Sequence, residues 1–201
     1  MKTKRMTMLA VSMMILIAVP LVAQTVIPLA EDQNDLEFVG QFQTNGPDSL
    51  QFGYISRIEG LNNVFSGTPH NETTALFTFV THATTYQLIL NGPFRVVDRT
   101  GTTTIYLNNG PSDFNNPASF SQGTPIQTST YRQHVIVNLN TLTFTTTHMN
   151  TITDTEMFSR NGVNYRLGHP NDMFRTSYQG VVNSLDPINH GWFAGNAVGV
   201  H

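Results

Sequence analysis

The chain of 201 residues contains no cysteine. A disulfide framework, a thiolate metal site and a thiol nucleophile are therefore all excluded. Lysine does not occur after Lys4, so the body of the chain has neither a phosphate-loop lysine nor a Schiff-base lysine. Charged residues make up only 11% of the chain, and tryptophan occurs once, at Trp192. The patterns G-x-S-x-G, H-E-x-x-H, G-x-G-x-x-G and the EF-hand loop are absent. These gaps remove several enzyme classes and leave stability to the apolar core and the sheet ladders.

Long apolar runs are also missing, except at the start. Lys2, Lys4 and Arg5 precede an apolar run from Met8 to Val19, then Pro20 and the small-residue ending Leu21-Val22-Ala23. This is the three-part pattern of a secretory signal peptide, with cleavage expected after Ala23. The run is shorter than the ~20 residues of a spanning helix. No cysteine follows it, so lipoprotein anchoring is excluded. The expected destination is secreted or extracytoplasmic, with no membrane insertion after cleavage. The lysine-rich start and the lack of cysteine suit a bacterial export route. Beyond residue 23, seven arginines face thirteen acidic residues. Such a balance gives no grip on a phosphate backbone, so nucleic acid is not an expected partner.

What is present has period two. Phe38, Gly40 and Phe42 alternate with Glu37, Val39 and Gln41; Leu50, Phe52 and Tyr54 with Gln51 and Gly53; Tyr86, Leu88 and Leu90 with Gln87 and Ile89. Further runs at 74–82, 94–98, 102–107, 131–139, 142–148, 163–167 and 174–182 are rich in Thr, Val, Phe and Tyr, which favour a pleated, half-buried surface. Turn chemistry separates them at Asn45-Gly46-Pro47-Asp48, Asn91-Gly92-Pro93, Arg99-Thr100-Gly101, Asn138-Leu139-Asn140-Thr141 and Asn161-Gly162. The fold class is all-β: an antiparallel meander closing into a β-barrel, with a two-sheet β-sandwich as the alternative. Sequential hairpins and the removal of open edges favour the barrel. The expected divisions are a signal peptide at 1–23, a flexible acidic leader at 24–36, one barrel domain at 37–183 and a C-terminal tail at 184–201 docking through Trp192 and Phe193. Asn116-Pro117 marks the start of a helical turn within the long loop 108–124.

No catalytic residue can be assigned from these patterns, and no metal site or cofactor is expected. Asp113 is the one carboxylate in the oxygen-rich loop 108–116, too few for a firm calcium site. His134 and His148 sit near one end of an expected hairpin, where they either face each other or serve as ordinary surface positions. Arg132 and His134 share one strand face, as do Arg95 and Arg99, with Asp98 opposite the latter pair.

The span Phe38 to Val182 resembles small secreted bacterial β-barrel proteins to which no activity is attached, and is loosely similar in architecture to the allene oxide cyclase and dirigent barrels. The resemblance implies a cup that holds an apolar molecule; no catalytic motif is carried over. A small, mainly apolar ligand is thus the expected partner, bound without catalysis, with Tyr86, Tyr106, Tyr131 and Phe144 as lining and Arg132 and His134 as polar anchors. Phe77, Phe79 and Tyr165 complete the aromatic candidates. Two other readings stay open: a cyclase or isomerase using Asp98 or Glu59 beside His134 or Arg132, and a structural or adhesive surface protein. Oligomeric state is not encoded in these patterns.

Overall fold

The structure, a computed structural model, describes residues 24–27, 36–184 and 189–200. The expected signal segment and most of the expected leader lie outside them.

Eight strands form a closed antiparallel barrel: β2 (Leu36–Asn45), β3 (Asp48–Ile58), β4 (Phe77–Asn91), β5 (Phe94–Leu107), β6 (Thr124–Asn138), β7 (Thr143–Thr155), β10 (Met173–Ser184) and β11 (Asn189–Val200). Each pairs with its neighbour in sequence order, except that β7 passes to β10 and β11 returns to β2. The expected all-β barrel is thus the observed fold. Between β7 and β10 the chain forms β8 (Phe158–Arg160) and β9 (Val163–Leu167), which turn through Asn161 and Gly162 at positive φ, as the Asn-Gly pair requires. Strand β1 (Gln24–Ile27) pairs in parallel with β9. Part of the region expected to be a flexible leader is therefore strand.

Alternation divides the barrel residues between its two sides. Phe38, Ile55, Phe79, Val97, Val135, Phe144, Phe174, Tyr178 and Phe193 belong to the buried interior cluster. Phe158 and Leu167 of the small sheet join it, and Phe158 packs edge-on to Phe77 with ring centroids 5.5 Å apart. These two residues plug one end of the barrel. The opposite end carries the hairpin turns β2–β3, β4–β5 and β6–β7, and is called the hairpin end below.

Three expectations need correction. Arg99-Thr100-Gly101 is not a turn but the middle of β5. Gly101 is small because a side chain there would meet the Tyr131 hydroxyl at 2.7 Å and the His82 carbonyl closer still. The runs 74–82 and 86–90 fall, from Phe77 on, in one strand, β4, interrupted by a bulge at Tyr86. Residues 189–200 are not a docked tail; they are β11, the strand that closes the barrel, with Phe193 buried inside and Trp192 outside, 4.6 Å from the Phe114 ring.

The long loop after β5 has a packing role. Its short 3-10 helix, Pro117–Ser121, begins at the expected proline. Phe120 covers Phe52 and Val80 on the outer face of β3 and β4, and Thr78 donates a 2.7 Å hydrogen bond to the Phe120 carbonyl.

Candidate functional site

The middle of the barrel is polar. Tyr178, on β10, is its hub: the hydroxyl donates to Gln51 Oε1 at 2.8 Å and accepts from Gln133 Nε2 at 2.8 Å. His148 Nε2 lies 3.0 Å from the same oxygen. With the one hydroxyl proton directed to Gln51, the imidazole must donate, so its proton sits on Nε2. The His148 ring is also stacked on Tyr131, centroids 4.4 Å apart and planes 11° from parallel.

Burial sets the charge states. Removal from water pushes His148 down to about 3, helped by the nearby Arg99 charge. Burial raises both Tyr178 and Tyr131 well above the ordinary phenol value. It also lowers Arg99, whose cation is partly supported by the two tyrosines. The cluster is therefore neutral at ordinary pH apart from Arg99, since a buried group relieves desolvation by shedding charge.

Two small cavities flank the hub. One, of about 60 Å³, lies toward the plugged end among Phe38, Phe79, His148 and Asn150. The other, of about 50 Å³, lies toward the hairpin end. It is lined by Arg95, Arg99, Gln133, Thr146 and Asn189 together with Val97, Val135, Val137 and Phe144. Each holds one or two water molecules or a small chemical group, given ~30 Å³ per water in the liquid. The rest of the interior is filled by side chains, so the barrel does not enclose a whole drug-sized molecule.

The hairpin end extends further than the barrel proper. Pairing of β3 with β4 ends at Asp48 and Thr84, whereas β4 and β5 continue as a pair to Asn91 and Phe94. Across that extension, Leu88 stands opposite Val97 and Leu90 opposite Arg95, so both leucines share the inward face. They are 57% and 65% exposed. On the outward face, Ile89, Val96 and Ile136 form a cross-strand row.

The expected site residues divide. Tyr131 and Phe144 are inside. Arg132 and His134 are outside and do not anchor anything in the interior. His134 pairs with Asp98 across β5 and β6, Nδ1 to Oδ1 at 2.7 Å, which leaves neither group facing the cup. Tyr86, in the bulge, is 61% exposed. Tyr106 packs with the outer Phe52–Val80–Phe120 cluster, Phe77 and Phe79 are core, and Tyr165 stacks on Phe158 in the small sheet. His134 and His148 do not face each other: His134 is opposite Thr147 and His148 opposite Gln133, which puts the two rings on opposite faces. Among the described residues no three His, Asp or Glu side chains converge as metal ligands.

Arg132 instead borders an open groove of about 1080 Å³ on the outer surface, with His82, Thr102, Thr130 and Met149 around it. Its rim carries exposed polar residues such as His82, Thr102 and Arg132, while Leu50, Met149 and Met173 make much of its lining apolar.

Sequence reasoning missed Gln51, Gln133 and Tyr178 as one cluster. The available signal was parity: each lies an even number of residues from a large apolar neighbour on its own strand. Nothing in the sequence shows which strands meet across the barrel. Compared with protein-family models, curated proteins and solved structures, the chain matches none.

Proposed function

We propose that this is an exported, non-catalytic binding barrel that takes a small, mainly apolar molecule at its hairpin end. One observation carries the reading: the apolar interior surface continues past the barrel wall without a cover. Val97, Val135, Val137 and Phe144 line the inner cavity, and Leu88 and Leu90 prolong that face into solvent. An exposed apolar surface of this kind marks a binding site more often than a neutral feature of the surface. The outer groove also offers apolar lining at Leu50, Met149 and Met173, and the Arg132 variant below separates it from the hairpin end.

The cyclase reading draws no support from the interior. Asp98 is tied to His134 on the outside, and Glu59 is paired with Arg57 at the surface. His148, inside, is held neutral and hydrogen-bonded to Tyr178. Export rests on the N-terminal segment alone. The polar outer positions Thr84, Thr100, Thr102, Thr130 and Arg132 offer no apolar band of the kind that faces lipid, which favours a barrel working in water.

Native mass spectrometry of the protein taken gently from its host's secreted fraction is the direct test. An extra mass that is lost on denaturation is expected. A parallel titration uses Nile red, a neutral apolar dye. Binding should weaken in the double variant Leu88→Asn/Leu90→Asn and persist in Arg132→Ala. A clean apo mass together with no dye binding overturns the reading; dye lost on Arg132→Ala moves the site to the outer groove.

A further inference from the structure

The described lining of the hairpin-end cavity holds two cations and no acid. Arg95 and Arg99 both line it, and among the described residues no aspartate or glutamate does. Neither arginine takes part in an ion pair among the described residues, whose acids Glu37, Glu59, Asp98 and Asp172 are paired elsewhere on the surface. Arg99 Nε donates to Thr85 Oγ1 at 3.0 Å, which leaves the two terminal nitrogens of that guanidinium for another acceptor. Arg95 Nε is buried with no partner. Around them, Gln133 Oε1 and Asn189 Oδ1 are also buried and unpartnered, and as acceptors they call for a donor such as water rather than for the anion itself.

Such a cluster is costly as it stands. An unpaired buried polar atom costs free energy comparable to a lost hydrogen bond, and a partly desolvated cation without a counter-charge costs more. Six-membered rings or long chains do not fit in about 50 Å³, but a carboxylate does. A guanidinium fork matches a carboxylate in a bidentate geometry. The apolar wall begins where the cavity ends, since Leu90 is directly opposite Arg95 and Leu88 opposite Val97.

We infer that Arg95 and Arg99 receive the carboxylate of an amphipathic molecule whose hydrocarbon part lies along Leu88, Leu90 and the inward valines. This rests on the binding reading above and adds the chemical class of the ligand: a medium- or long-chain carboxylic acid, bound as the anion. The acid enters head first toward Arg99, which is opposite Thr85 and so deeper than both leucines, while Arg95 meets it at the level of Leu90.

The test compares dodecanoate with dodecanol, which share a chain and differ in the head group. Binding of each to the full protein is followed by displacement of Nile red and by calorimetry. Dodecanoate is expected to bind about ten- to a hundredfold more tightly, the equivalent of one charge-assisted contact set. Arg95→Gln should remove most of that preference without weakening dodecanol. Arg99→Lys, which keeps the charge but not the fork, should retain part of it, and circular dichroism checks that both variants keep the barrel. If acid and alcohol bind alike to the unaltered protein, or if Arg95→Gln leaves the preference intact, the anion site is overturned while the apolar site stands. If neither compound nor the dye binds, the binding reading itself has failed.

Discussion

Tyr178 ties four strands together through one oxygen atom. Its partners Gln51, Gln133 and His148 come from β3, β6 and β7, while Tyr178 itself is on β10. Replacing it with phenylalanine removes one hydroxyl but leaves two amides and an imidazole without that partner. Leaving buried groups unsatisfied costs more than the hydrogen bonds contributed, so Tyr178→Phe should lower stability by roughly 2–4 kcal/mol in urea unfolding. His148 adds a pH dependence of defined sign. The unfolded imidazole takes a proton near 6.5, while the folded one resists until about 3. Acid therefore favours the unfolded chain. Stability should be unaffected by this group above about pH 6.5 and fall by about 1.4 kcal/mol per unit through the window below it. Urea midpoints measured across that window should fall less steeply in His148→Gln than in the unaltered protein. At this scale the sequence was legible only in part. Alternation correctly sets Asp98 opposite Arg95 and Arg99, but whether His134 or His148 points inward depends on a one-residue register that no local pattern encodes.

Among the elements, β4 departs from an ideal barrel stave in a way that exposes an edge. The bulge at Tyr86 shifts the register, and beyond Thr84 the strand has β5 on one side and, among the described residues, no strand partner on the other. Residues 86–91 contain no charge and no proline, the devices that usually keep an exposed edge from pairing with another chain. Concentration-dependent association of the isolated protein is therefore expected. Ile89→Lys, on the outward face, should reduce it in sedimentation velocity without lowering the melting temperature. A variant that associates as strongly as the parent would place the contact elsewhere. Hairpins were the most legible elements, because Asn161-Gly162 and Asn45-Gly46 carry their turn geometry in the residues themselves. By contrast, β11 resembled a tail because it is rich in glycine and alanine. Those small residues serve neighbouring strands: a side chain at Gly191 would meet the Phe42 ring at 2.8 Å, and one at Gly195 would strike Tyr178. Small residues that make room for aromatic partners look the same, in one dimension, as small residues in a flexible end.

For the whole molecule, the decisive contact is the seam between β11 and β2, where Asn196 stands opposite Glu37 and Gly191 opposite Phe42. It joins the two ends of the barrel sequence. Deleting residues 184–201 removes a stave and exposes both β2 and β10 as edges. Far-ultraviolet circular dichroism of such a truncation should show loss of the cooperative thermal transition, because an opened barrel loses interior packing as well as one strand. The all-β class was readable from composition and period, and closure from the need to hide edges. The identity of the closing strand was not, since it is set by a pairing about 150 residues apart.

That seam also has a consequence in time. Contacts between distant parts of a chain slow folding, because the loop must be closed before any contact rewards it. Here the interior cannot be sealed until the last stave has been delivered. A chain still emerging from a ribosome or threading through a membrane pore lacks that stave and stays open. Under the export proposed above, late closure would keep the polypeptide in a form that can be threaded until the journey is complete.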